Sequence, residues 1–198
     1  PLRYRMLSAP TSSFSAGEGA WLAEETATNL QLPPSFARRQ PRTAALAAEL
    51  RELHRADADL IGAILDRFAT EPFVYTLSPP PLGASAVDEF LFETRRGFCE
   101  HYAGAFVVLL RAAGIPARVV TGYQGGEINP RGGYMIVRQS DAHAWAEALI
   151  DGRWQRFDPT AAVSPSRIEM GLGGALAAGE PVPLLARLDG HWMKSLQL

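Results

Sequence analysis

The chain contains one cysteine, Cys99. It follows Arg95-Arg96-Gly97-Phe98 and opens a segment, residues 98–113, in which Tyr102, Phe106, Leu109, Leu110 and Ala113 recur at helical spacing. A thiol in the first turn of a helix meets unpaired backbone N–H groups and the positive end of the helix dipole. Both favour the thiolate, which is the nucleophilic form. The same amides, the N–H of Cys99 first, are placed to stabilise an oxyanion, and Gly97 leaves room for a substrate backbone to approach. A lone cysteine also has an inert reading as a small buried hydrophobe, so its partners must decide. With one cysteine, a disulfide within the chain and a Cys-based structural zinc site are both excluded.

The candidate base is His143 and the candidate orienting carboxylate is Asp158. Asp151-Gly152 is a strong two-residue hairpin signal between strands predicted over 142–150 and 153–158. In that register Ile150 pairs with Arg153, Leu149 with Trp154, and Glu147 with Arg156, a favourable opposite-charge pair. Asp158 then falls opposite Trp145, on the face that His143, Trp145 and Glu147 share. It becomes the diagonal neighbour of His143, roughly 7–8 Å away between Cα atoms and within side-chain reach. A shift by one residue would turn Asp158 to the other face. Each residue alone has a bland alternative, a structural histidine or a turn aspartate. Together they form the nucleophile, base and orienter of thiol acyl chemistry.

Three further residues are candidates for substrate contact. Tyr75 is a candidate donor to the oxyanion, and Tyr102 and Trp145 either line the acyl site or pack. His101 is two residues from Cys99, so on a helix the two point to different sides and do not form a metal pair; it reads as a supporting or surface residue. His54 reads as part of a solvated helix face. No acidic loop with calcium-ligand spacing is present. No metal and no cofactor are expected.

Helices come first and strands follow. Residues 43–68 carry Leu46, Leu50, Leu53, Leu60, Ile61, Ile64 and Phe68 on one stripe, interrupted by Asp57. Two helices divided near 56–59 are expected, with Asp59 as the second N-cap. Pro72 and Pro79-Pro80-Pro81 bound a loop holding Phe73, Val74 and Tyr75, and a short helix is expected over 87–92. Gly114 and Pro116 stop the 98–113 helix. Strands are predicted over 118–123 and 134–138, joined by a Gly/Asn/Pro-rich loop. This order gives an α+β class, helices packed on an antiparallel sheet. Residues 1–42 read as an irregular arm with a short helix near 21–29, residues 43–172 as the core, and residues 173–198 as a Gly/Ala/Pro-rich linker and tail.

The formal net charge of −2 over 198 residues gives no electrostatic case for nucleic acid or an anionic membrane surface. No run reaches the roughly 18–20 apolar residues needed to span a bilayer. Residues 1–10 do not read as a signal peptide. A start at Pro1 without Met reads as a piece of a longer protein, monomeric as this fragment.

The stretch 97–103 (Gly-Phe-Cys-Glu-His-Tyr-Ala), continuing through Leu110-Arg111-Ala112-Ala113-Gly114-Ile115-Pro116, resembles the nucleophile helix of transglutaminase-like domains. Asp141-Ala142-His143-Ala144-Trp145-Ala146-Glu147 resembles their histidine strand, and Phe157-Asp158-Pro159-Thr160 their aspartate strand end. Thr121-Gly122-Tyr123-Gln124-Gly125-Gly126-Glu127 resembles the bacterial membrane-anchored branch of that family. The likeness covers residues 73–172. It implies a papain-like transglutaminase core, a Cys99–His143–Asp158 triad, and a periplasmic domain tethered by membrane segments of the parent protein. Its substrates would be proteins or peptides, among them cell-envelope peptides. The implied reaction is ping-pong acyl transfer from a glutamine carboxamide through a thioester. A cysteine peptidase or amidase with the same triad, and a silent binding module on the same fold, are the alternatives.

Overall fold

The computed structural model of the chain describes residues 13–15 and 19–166; the tail read over 173–198 lies outside them. Its elements, in chain order, are β1 (Ser13–Ser15), α1 (Ala20–Asn29), α2 (Phe36–Arg39), α3 (Pro41–Leu53), α4 (Asp57–Thr70), β2 (Val74–Tyr75) and α5 (Ala86–Glu89). A π-turn (Phe90–Thr94) follows, then β3 (Arg96–Gly97), α6 (Cys99–Ala112), β4 (Ala117–Tyr123), β5 (Glu127–Ile128), β6 (Met135–Ile136), β7 (Ala142–Ile150), β8 (Arg153–Phe157) and α7 (Pro159–Val163).

The long helix α6 is the organising element. Tyr102, Phe106, Leu109 and Leu110 are fully buried. They join Leu60, Ile64 and Phe68 of α4 and Leu46 of α3 in one core. On the sheet side the same core takes Ala146 and Ala148 of β7 and Ala117 of β4. Small residues there let helix and sheet approach closely. Gly114 ends α6 in the left-handed region at φ 83°. Ile115 N–H then donates back to Leu110 C=O at 2.8 Å, which closes the helix end.

The main sheet runs β1-β8-β7-β4, all neighbours antiparallel. Asp151 and Gly152 both take positive φ, 51° and 72°, as a tight hairpin requires. The expected register holds: Ile150 faces Arg153, Leu149 faces Trp154 and Glu147 faces Arg156. The expected Glu147–Arg156 ion pair does not form. Glu147 is taken by Arg118 from β4 at 2.9 Å, and Arg118 also reaches Glu25 of α1 at 3.4 Å. The far face of the sheet is covered where Leu22 of α1 packs on Leu149 and Trp154.

Several local expectations change. The arm read as irregular holds, besides the short helix expected near 21–29 and found as α1, a strand and α2 among its described residues; β8 offers an open edge, and Leu149 and Trp154 an apolar seat. Asp59 is not an N-cap: Ala56 precedes the helix and Asp57 opens it, bonded to Arg51 at 2.8 Å. Leu53, at the end of α3, is exposed rather than in the core stripe. The segment around Tyr75 is not a plain loop; Val74–Tyr75 pairs in parallel with Arg96–Gly97. The strand expected over 134–138 shrinks to β6, which pairs only with β5 in a small hairpin. That leaves β4 free to pair directly with β7.

Candidate active site

Cys99 is the first residue of α6 and is buried, packed against Ala103 and Ala144. Ala144 lies on β7 beside His143, so the thiol sits at the junction of helix start and histidine strand. The turn before it is held from both sides. Phe98 is extended, and its N–H donates to Nδ1 of His101 at 3.4 Å, while its C=O accepts from His101 N–H at 2.9 Å. His101 is packed edge-on against Phe98 and tilted against Phe90. Burial holds its pKa below the ordinary histidine value, with Glu100 opposing. A neutral ring suits a nitrogen that accepts a backbone N–H.

His143, with a fully buried side chain, directs Nε2 at Oδ2 of Asp158 at 2.7 Å. Its other nitrogen, Nδ1, is buried and closes no hydrogen bond. Burial works to lower the His143 pKa. The hydrogen bond to Asp158 and the nearby Cys99 thiol outweigh it, so the imidazole is held above the ordinary value of 6.5. Thiol and ring are therefore electrostatic neighbours, with Nδ1 the nitrogen left for the sulfur.

Asp158 follows β8 and is the N-cap of α7. Its Oδ1 accepts the Thr160 N–H at 3.2 Å, while Oδ2 serves His143. The aspartate-before-proline position thus does two things at once: it caps a helix and holds an imidazole. Arg156, two residues earlier on the same strand face, lies 3.5 Å from the same Oδ2.

The three candidate substrate residues divide. Tyr75 pairs in register with Gly97 and stacks on Tyr102, with centroids 6.5 Å apart and planes 12° apart. Tyr102 is fully buried among Phe68, Phe73 and Phe90. Its hydroxyl has no hydrogen-bond partner. Burial first, and Tyr75 second, push its pKa well above the ordinary tyrosine value, against Arg96. Trp145 stands beside His143, ring centroids 6.3 Å apart and planes 27° apart. Two residues that the sequence does not place at the site shape this corner. Arg156 lies 4.4 Å above the Trp145 ring. Gly122 faces His143 across the ladder and gives the indole its space. The i, i+2 spacing of Arg156 and Asp158 on one strand was the available signal.

Among the described residues, no group of three His, Cys, Asp or Glu side chains is gathered to hold a metal ion. Nor is any helix among them long and apolar enough to cross a membrane. Two apolar hollows of about 190 and 220 Å³ flank α5 on the Val108 side of α6, the side away from the Cys99–Ala144 contact.

A Pseudomonas aeruginosa protein named protein-glutamine gamma-glutamyltransferase is 52% identical over 177 residues, covering 86% of this chain and 26% of its own length. The chain thus spans about a quarter of that relative. The crystal structure of the periplasmic domain of TgpA from Pseudomonas aeruginosa superposes with a TM-score of 0.74 at 55% identity, covering 78% of this chain and 53% of that one. A structure from Cytophaga hutchinsonii, at 24% identity and TM-score 0.53, covers 76% of this chain and 50% of its own; it shares the fold alone. Residues 44–159 match the profile of the transglutaminase-like superfamily, and with them this chain, a papain-like α+β core with its cysteine at a helix start, belongs to that family.

Proposed function

We propose that this domain is a thiol acyltransferase acting on glutamine carboxamides of proteins or peptides, with residues 43–172 as its catalytic core. Cys99 is the nucleophile, His143 the base and Asp158 the residue that orients His143. The observation that carries the reading is the 2.7 Å contact between Nε2 of the buried His143 side chain and Asp158 Oδ2, which leaves Nδ1 for a thiol at the start of α6. A relative named protein-glutamine gamma-glutamyltransferase supports glutamine as the acyl donor.

The thiolate of Cys99 attacks the carboxamide carbon, and the oxyanion that forms is met by the first amides of α6. Imidazolium His143 gives its proton to the departing nitrogen, ammonia leaves, and a thioester remains on Cys99. An amine such as a lysine side chain attacks the thioester while His143 takes its proton. The isopeptide product leaves and the thiolate is restored. Asp158 keeps the Nε2–H tautomer and stabilises the imidazolium between the two steps. Tyr75, beside Gly97, is the side chain we assign to the acyl pocket, with Tyr102 stacked behind it and Trp145 covering His143. The setting we infer is periplasmic, in a parent protein held at the membrane, because structural relatives are the periplasmic domain of TgpA.

The test is to incubate the protein with glutamine peptides, with and without an added amine, and to read products and the Cys99 adduct by mass. A thioester on Cys99 that passes to the amine is the expected result. Deamidated or cleaved peptide alone would make it a hydrolase, and a Cys99→Ala protein that still turns over would overturn the mechanism.

A further inference from the structure

Arg156 has an unexpected partner. Its register neighbour Glu147 carries the opposite charge, yet Glu147 is held by Arg118 Nε and a second guanidinium nitrogen at 3.0 and 2.9 Å. Arg156 turns instead along its own strand. Its guanidinium lies 4.4 Å from the Trp145 ring centroid and 3.5 Å from Asp158 Oδ2. Trp145 in turn lies alongside the His143 imidazole. The result is a row of guanidinium, indole and imidazole, with Asp158 hydrogen-bonded to the imidazole and ion-paired to the guanidinium.

Resting on the triad reading, we propose that Arg156 is a positioning residue of the acyl-transfer site: it clamps Trp145 over His143 and fixes the Asp158 carboxylate that receives the imidazole. A planar guanidinium suits this, since it stacks on an aromatic face while its edge meets a carboxylate. The carboxylate is then held by two donors, Thr160 N–H on Oδ1 and His143 on Oδ2, with the Arg156 guanidinium ion-paired to Oδ2 at 3.5 Å. The indole shields the His143–Asp158 bond from water, and its own Nε1 is buried without a partner. That is a cost the stacking must offset.

The charge also acts on His143. The titratable groups facing this ring are Asp158, just after β8, and Cys99 from α6, with Arg156 behind Asp158; β4 contributes uncharged Gly122 and Val120 opposite His143 and Trp145, and α7 the Thr160 amide. Glu147 is neutralised by Arg118, which Glu25 also joins. Removing a positive charge near an imidazole makes the imidazolium easier to form. Because Arg156 is about half exposed, solvent screens much of its charge, and the effect reaches the imidazole through Asp158.

The experiment compares wild type, Arg156→Gln and Arg156→Lys, reading kcat and KM for a glutamine peptide with an amine, kcat/KM against pH, and Tm. For Arg156→Gln we expect kcat to fall about tenfold, KM to change less than about twofold, and the alkaline limb of kcat/KM to move to higher pH. Arg156→Lys keeps the charge, so its alkaline limb stays with wild type, while kcat recovers only in part because an ammonium does not stack flat. Arg156→Gln with wild-type kcat and limb overturns the proposal. So does a kcat loss that follows a fall in Tm with no movement of the limb. Should Arg156→Gln not fold, Arg156→Lys decides, and a kcat equal to wild type sinks the idea. The underlying reading fails separately: a wild-type protein that forms no Cys99 acyl-enzyme refutes the triad, whereas an active wild type with an indifferent Arg156 refutes only this role.

Discussion

Asp158 holds His143 at 2.7 Å through one carboxylate oxygen and caps α7 through the other. One side chain thus couples the imidazole to the start of a helix, and the two roles separate by substitution. Asparagine is as good an N-cap as aspartate, and alanine is not. Above the folded pKa of His143, where the ring is neutral and this linkage is gone, Asp158→Asn should therefore keep the wild-type Tm within a degree or two. Its kcat should fall on the order of 10³–10⁴-fold, because an amide does not hold the imidazole tautomer or support its charge. Asp158→Ala should lose activity to a similar extent and also about 1 kcal/mol of stability from the lost cap. Parallel thermal melts and rate measurements check both; equal losses of Tm in the two variants would contradict the dual role.

His143 ties stability to pH with a definite sign. Its folded pKa is raised above 6.5, so the native state favours the protonated ring. That contribution is fully present below the unfolded value, about 6.5, and is lost as pH rises through the higher folded value. The Tm difference between wild type and His143→Gln should be largest on the mildly acidic side and should shrink as pH rises through the folded value. A difference that grows with pH instead would show that burial, not Asp158 and Cys99, dominates the ring's environment.

What could be read from the sequence here was local. The Asp151-Gly152 turn set the register that puts Asp158 beside His143, because a two-residue turn leaves no slack. The apolar stripe of 98–113 and its Gly114 stop defined α6, and so placed Cys99 at a helix start. What could not be read was competition between distant elements. Glu147 has two arginine suitors, Arg156 on β8 and Arg118 on β4, and a hairpin argument sees only the first. Likewise Tyr75 reaches Gly97 by a two-residue parallel pairing that has no periodicity to announce it. His101 reads from sequence only as a supporting or surface residue; its particular role, receiving the Phe98 N–H, is not legible because that place is usually given to Glu or Gln.

Gly97 should tolerate no side chain. A Cβ built there would come 2.6 Å from His101 Cβ and 3.0 Å from the Phe90 ring. The first of these atoms cannot swing away, since it is fixed to the helix backbone. Gly97→Ala should cost about 1–3 kcal/mol through overpacking. It should also loosen the turn that presents Cys99, visible as slower iodoacetamide labelling of Cys99 at mildly acidic pH. Wild-type labelling together with a wild-type Tm would mean that the helix start is not held by this contact.

Gly122 poses the converse case, where the obstacle is a ring edge. A Cβ there would meet Trp145 Cη2 at 2.8 Å and Cζ3 at 3.2 Å. The indole can move, but Arg156 lies on its face and His143 beside it, so movement is transmitted to the imidazole. Gly122→Ala should therefore leave Tm within about 1 kcal/mol of wild type in stability terms, while kcat falls roughly 10–100-fold from misplacement alone. Trp145→Phe removes the far ring that the new methyl would strike. In the double variant the alanine should then cost much less than it costs alone, a coupling that a double-mutant cycle in kcat reads directly. Independent, additive effects of the two substitutions would mean that Gly122 acts on something other than Trp145, and that the space it leaves is not what keeps the indole over His143.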